Sequence, residues 1–90
     1  MATSTIKYVP QCKNLGTLPT NTDLNTVTEW SVSKLISGNT YTNAPSGVTW
    51  GLLETIHITT LMIQRLSSNN LYYRYYGNDE WSAWKKYTIT

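Results

Sequence analysis

The chain has 90 residues, a formal net charge of +2, seven tyrosines, four tryptophans and no phenylalanine, with only 13% of its residues charged. That length makes one domain, burying roughly 60–65% of its unfolded surface, and low charge with many aromatics excludes intrinsic disorder. The positive charge is too small and scattered to imply nucleic acid, and Lys85-Lys86, its one local pair, leaves a strand on opposite faces.

A lone cysteine, Cys12, excludes an intrachain disulfide and fits folding in a reducing cytoplasm, even for a protein that acts outside the cell. No apolar run approaches the ~20 residues of a membrane span, and the N-terminus lacks a signal-peptide core. A soluble chain without membrane insertion or a visible export signal is therefore expected.

Residues 1–19 read as an N-terminal arm or connector, and residues 20–90 as the domain proper. In the arm, Ile6, Lys7 and Tyr8 alternate briefly as a short edge strand, which Pro10 ends. Gly16 and Pro19 punctuate a loop. From Thr20 to Trp30 the pattern changes. Thr22 or Asp23 can act as N-cap, and Leu24, Val27 and Trp30 fall on one face at helical spacing. The segment is rich in Thr and Asn, so one to two turns of helix would be held by docking Leu24 and Val27 on a sheet rather than by propensity.

Trp30 to Ile36 alternates Trp30, Val32 and Lys34 against Ser31, Ser33 and Leu35, as a strand does. Ser37-Gly38-Asn39 breaks it, and Asn43 to Gly47 is a loop. Trp50 to Leu66 is the most apolar run. Its β-branched segments Leu52–Ile58 and Leu61–Leu66 flank Thr59-Thr60 and read as a hairpin whose turn lacks Gly or Asn. A single helix is the competing reading, and the Ile and Thr density favours strands. Ser67 to Asn70 turns the chain into Leu71.

Leu71 to Tyr76 and Trp81 to Thr88 read as two antiparallel strands joined by Gly77-Asn78-Asp79-Glu80. Alternation sets Leu71, Tyr73 and Tyr75 against Tyr72, Arg74 and Tyr76, and Trp81, Ala83, Lys85 and Tyr87 against Ser82, Trp84, Lys86 and Thr88. Aromatics then stand on both faces. Either protein covers both, or one face serves something outside the chain. The expected class is mostly β with an α+β margin: four or five antiparallel strands in a meander with at most one short helix. Leu24, Trp50, Leu53, Ile63 and Trp84 are the expected core.

Catalysis is not indicated. His57 is the only histidine and sits in an expected strand, and one Cys with one His makes no zinc set. Asp79 and Glu80 are neighbours in a turn, and Glu54 is the only carboxylate on the central strands. No carboxylate pair has the spacing of a glycosidase, and no serine has nucleophile-elbow context. No cofactor or metal is expected. Exposed Tyr and Trp beside Arg, Asn and Asp suit sugars, whose faces are apolar and whose rims are hydroxylated. Trp50, Trp81 and Trp84 packed as the core of a Phe-less domain is the alternative use of those rings.

The run of DLNT (Asp23–Thr26), NAPSG (Asn43–Gly47), WGLLE (Trp50–Glu54), IQRL (Ile63–Leu66), YYRYY (Tyr72–Tyr76) and WSAWKK (Trp81–Lys86) resembles the pyocin-knob-like segment of phage tail fibres and of the fibres on phage-tail-like bacteriocins. The likeness spans residues 17–87 and rests on the order of six short motifs. It implies a small knob assembled as a homotrimer along a virion tail fibre, made in the host cytoplasm and acting outside it in receptor binding and host attachment. A bacterial cell-surface polysaccharide would be the partner. Tyr72, Arg74, Tyr76 and Trp81 are the candidate glycan or inter-subunit contacts, with core packing also open for the first three. A stand-alone monomeric lectin-like module is the second reading, and an accessory domain of a polysaccharide-degrading fibre the third.

Overall fold

Strict alternation builds the centre of the molecule. In the computed structural model, which describes residues 12–87, β5 (Gly51–Ile58), β6 (Leu61–Ser67) and β7 (Leu71–Gly77) form an antiparallel meander. Along β6 every second side chain is buried, Met62, Gln64 and Leu66, while Leu61, Ile63, Arg65 and Ser67 are exposed. The β5–β6 hairpin turns on Thr59-Thr60 as expected from the sequence, with Thr59 at φ 53°.

β3 (Ser31–Leu35) adds antiparallel to β5, and β8 (Glu80–Trp81) and β9 (Lys85–Tyr87) both add to β7. β1 (Lys13–Thr17) pairs parallel to β3 at the other edge. The fold is therefore mostly β, a mixed sheet of seven strands. Residues 13–17 fall where Gly16 and Pro19 lead the sequence to read as a loop. They are instead a strand, because Gly16 at φ 69° bends the chain within it while Leu18 is carried into the core. The short strand expected at Ile6–Tyr8 lies outside the described residues.

What covers the sheet is not a helix of any length. β2 (Thr22–Asp23) pairs parallel with β4 (Tyr41–Thr42) in a separate two-stranded sheet, and Leu24–Thr26 makes one 3-10 turn. Asp23 caps it, its carboxylate accepting from the Asn25 N–H at 2.9 Å. Thr and Asn extend helices poorly, so the turn stops at Val27, whose N–H donates to the Leu24 carbonyl. Leu24 and Val27 dock as expected. The Tyr41 hydroxyl stitches this layer down by donating to the Leu18 carbonyl at 2.8 Å.

Beneath it lie Leu18, Leu24, Val27, Leu35, Leu53 and Leu66, with Leu15, Tyr41, Ala44, Val48, Tyr72 and Trp84 packed against them. Each fully buried aliphatic side chain contributes about 1.5–3 kcal/mol by leaving water. Leu24 and Leu53 meet the sequence expectation for the core and Trp84 is half-buried against it, but Trp50 is 48% exposed and Ile63 43% exposed. Ile63 pairs with Ile56 and Tyr75 on the opposite face of the sheet, which no layer of the described residues covers.

That open face carries Leu52, Ile58, Leu61, Ile63, Tyr73, Tyr75 and Tyr87, all exposed. Its middle row runs Val32, Glu54, Arg65, Tyr73, Lys85 across five strands. Arg65 and Glu54 pair there at 3.6 Å, so the central charges are matched.

Candidate functional site

The covered face ends, where β8 and β9 flank β7, in an open cleft of 670 Å³ lined by Arg74, Tyr76, Trp81, Trp84, Asn25 and Asn43, with Asp79 and Glu80 also along it. Alternation along β7 places Tyr72, Arg74 and Tyr76 on this face, as expected. The tryptophans arrive there through an irregularity that alternation does not show.

Tyr76 faces Trp81, but Tyr73 faces Lys85, so three steps of β7 stand against four of the returning chain. An extra residue of this kind is a β-bulge. Ser82 holds it, its N–H donating to the Tyr75 carbonyl at 2.7 Å while its hydroxyl oxygen accepts from the Tyr75 N–H at 3.1 Å. Unbroken alternation predicted Trp81 on one face with Lys85 and Tyr87, and Trp84 on the other. The bulge instead leaves Lys85 and Tyr87 on the open face and brings Trp81 and Trp84 together over Arg74. The turn before it, Asn78-Asp79, has φ 54° and 65°, the paired positive values of a type I′ hairpin.

Arg74 is the hub. It is only 4% exposed, and its Cζ lies 4.2 Å from the Trp81 ring centre and 4.6 Å from that of Trp84. Cation–π attraction of this kind strengthens as the site dries. Tyr76 meets Trp81 edge to face at 5.3 Å, and the Trp84 indole N–H donates to the Asn43 carbonyl at 2.7 Å.

Behind Arg74 runs a buried polar row, Ser31–Thr55–Gln64–Arg74, across four strands. The Arg74 Nε–H donates to the Gln64 amide oxygen at 2.8 Å. Gln64 in turn donates to the carbonyls of Leu24 and Val27 at 2.9 and 3.2 Å, tying the covering layer to the site.

Burial pushes the Arg74 guanidinium down to about 10, and the nearby Asp23 charge partly offsets this. The arginine thus remains cationic at neutral pH. Asp23 is held below its ordinary carboxylate value by the Asn43 amide, which donates at 2.7 Å, and by the Asn25 N–H. Two buried atoms in the cleft lining find no partner: the Arg74 Nη2 and the Asn25 Oδ1.

Of the four residues singled out from sequence, Arg74, Tyr76 and Trp81 come together in the cleft. Tyr72 does not, and packs on the core instead. Asn25, Asn43 and Gln64 were not foreseen as site residues, since Gln64 meets Arg74 and Asn43 meets Trp84 only in the fold, the latter 41 residues apart, and Asn25 reaches the cleft lining from the covering layer. The ring nitrogens of His57 face the carbonyls of Thr28 and Thr59, and among the described residues no three His, Cys, Asp or Glu side chains are grouped to hold a metal. No family model, curated protein or solved structure matches this chain.

Proposed function

We propose that the chain is a non-enzymatic structural and adhesion domain of a phage or phage-tail-like bacteriocin tail fibre. It assembles as a homotrimer and takes part in recognising a bacterial surface glycan. The observation that carries this reading is the open sheet face. Its seven exposed Leu, Ile and Tyr side chains amount to on the order of 600 Å² of apolar and aromatic surface, at the upper end for a monomer's largest patch. That approaches the ~800 Å² per partner of a standard interface.

A second copy of the same chain is the occupant the face suits. The central Glu54–Arg65 pair is already matched, so a partner over the middle of the face strands neither of those two charges, and Lys85 lies at the end of the row. The flanking Tyr73, Tyr75 and Tyr87 supply rigid contact area at small entropy cost. Cyclic assembly repeats one such contact around an axis. The order of sequence motifs favours three copies.

Sedimentation equilibrium and native mass spectrometry test this directly. The wild type should sediment as a trimer at micromolar concentration. Ile63→Glu and Tyr75→Glu should give folded monomers, since both side chains are exposed on that face. A wild type that stays monomeric at millimolar concentration would overturn the fibre reading and leave the lectin-like module in its place.

A further inference from the structure

The cleft makes a narrower statement about its ligand than the aromatic content does. The Arg74 Nη2 is a buried donor without an acceptor, and the Asn25 Oδ1 is a buried acceptor without a donor. Both residues line one cleft. Each residue is also anchored by a bond of its own. Arg74 spends its Nε–H on Gln64, and Asn25 spends its backbone N–H on Asp23. Buried polar groups left unpaired cost free energy until a ligand or water completes them.

A hydroxyl is the group that satisfies both, accepting from one and donating to the other. A carboxylate suits Arg74 but meets the Asn25 oxygen and the carboxylates of Asp79 and Glu80 along the cleft. An ammonium suits those carboxylates but meets the Arg74 charge. The remaining walls, Tyr76, Trp81 and Trp84, are flat aromatic surface of the kind that stacks on the C–H face of a sugar ring.

We infer that this cleft binds an uncharged saccharide unit, one hydroxyl bridging Arg74 Nη2 and Asn25 Oδ1 and the apolar ring face lying against Trp81 or Trp84. The inference rests on the adhesion reading for its biological use and not for its chemistry. It selects neutral hexoses over uronic acids and amino sugars with a free amine. Both unpaired atoms are shielded from water, and the half-buried Trp81 and Trp84 rings stand over Arg74. The site lies on the covered side of the sheet, the face opposite Ile63 and Tyr75. A trimer built through the open face therefore leaves the cleft facing outward.

The test is a titration of the full chain with glucose, galactose, mannose, glucuronic acid and glucosamine, followed by ¹⁵N–¹H NMR. Tryptophan indole and Arg74 Nε–H signals are the readout. At least one neutral hexose should shift the Trp81, Trp84 and Arg74 signals together and saturate, and the charged sugars should bind at least tenfold more weakly. Asn25→Ala should weaken that hexose about tenfold while leaving the thermal midpoint within a few degrees. Arg74→Lys, which keeps the charge, should lose binding more completely. Circular dichroism establishes that each variant is folded. Absence of any neutral-hexose shift, or equal binding of glucuronic acid, overturns the inference and assigns the two atoms to a resident water. Sugar binding by a monomer would keep the site and overturn the fibre reading, whereas a trimer blind to every sugar does the reverse.

Discussion

Gln64 is the residue through which the two layers are tied, and removing its amide tests the whole arrangement. Gln64→Leu keeps the volume and fills the same space. It strands the Arg74 Nε–H and the Val27 carbonyl, and leaves the Leu24 carbonyl with the long bond from the Val27 N–H at 3.3 Å. A buried group left without its partner costs about 1–3 kcal/mol, more where it is charged. Two such groups, less the gain from a buried leucine, give a loss of about 3–5 kcal/mol. A domain of this length has only about 5–13 kcal/mol in all. With a urea slope of about 1 kcal/mol per molar, the unfolding midpoint should fall by roughly 3 M or more. Arg74→Met alone removes the charge that Gln64 serves. In Gln64→Leu/Arg74→Met that stranded charge is gone, so the double variant should be about 1–3 kcal/mol more stable than the sum of the single losses. A Gln64→Leu protein that unfolds at the wild-type midpoint would refute the buried row as the tie between sheet and covering layer.

Three further outcomes are expected. Thr59 holds a β-branched side chain at φ 53°, so Thr59→Gly should gain about 1 kcal/mol and raise the thermal midpoint by roughly 4–8 °C; an unchanged or lower midpoint would show the turn unstrained. Gly51 sits at φ 148°, and a Cβ there would stand 2.6 Å from the Ser67 carbonyl oxygen. Gly51→Ala should therefore lose about 2–4 kcal/mol in urea unfolding, and a loss below 1 kcal/mol would contradict the close approach of β5 to β6. The lowered value of Asp23 means its ionised carboxylate adds stability above 3.8, which is lost as pH falls through the lower folded value. Thermal midpoints followed down in pH should drop less steeply for Asp23→Asn than for the wild type.

The meander could be read from sequence because period-two alternation and β-branched density are local. Leu52 to Ile58, Leu61 to Leu66 and Leu71 to Tyr76 fall where expected to within a residue or two. Which face would be covered could not be read the same way. Leu61, Ile63 and Leu52 are as apolar as Met62 and Leu53, and only the attachment of residues 18–48 decides between them. Trp50 and Ile63 were misplaced in the core for that reason. The parallel pairing of β1 was hidden because Gly16 reads as a breaker, while the strand needs only the edge of β3. Arg74, Tyr76 and Trp81 were found because aromatic rings around an arginine on an alternating strand are a local pattern. Trp84 at the same site depended on one residue of slip.

The slip at Ser82 to Trp84 behaves like a shift of reading frame written into the backbone. Upstream of it, odd-numbered Trp81 shares a face with Arg74; downstream, odd-numbered Lys85 and Tyr87 share a face with Tyr73 and Leu71. Removing Ala83 from the bulge would restore the phase and leave every neighbour where it is, with Trp84 opposite Arg74 and Lys85 and Tyr87 still beside Tyr73 and Leu71. A single-residue deletion confined to this short stretch is thus absorbed there, with the cleft and the open face keeping the side chains they carry.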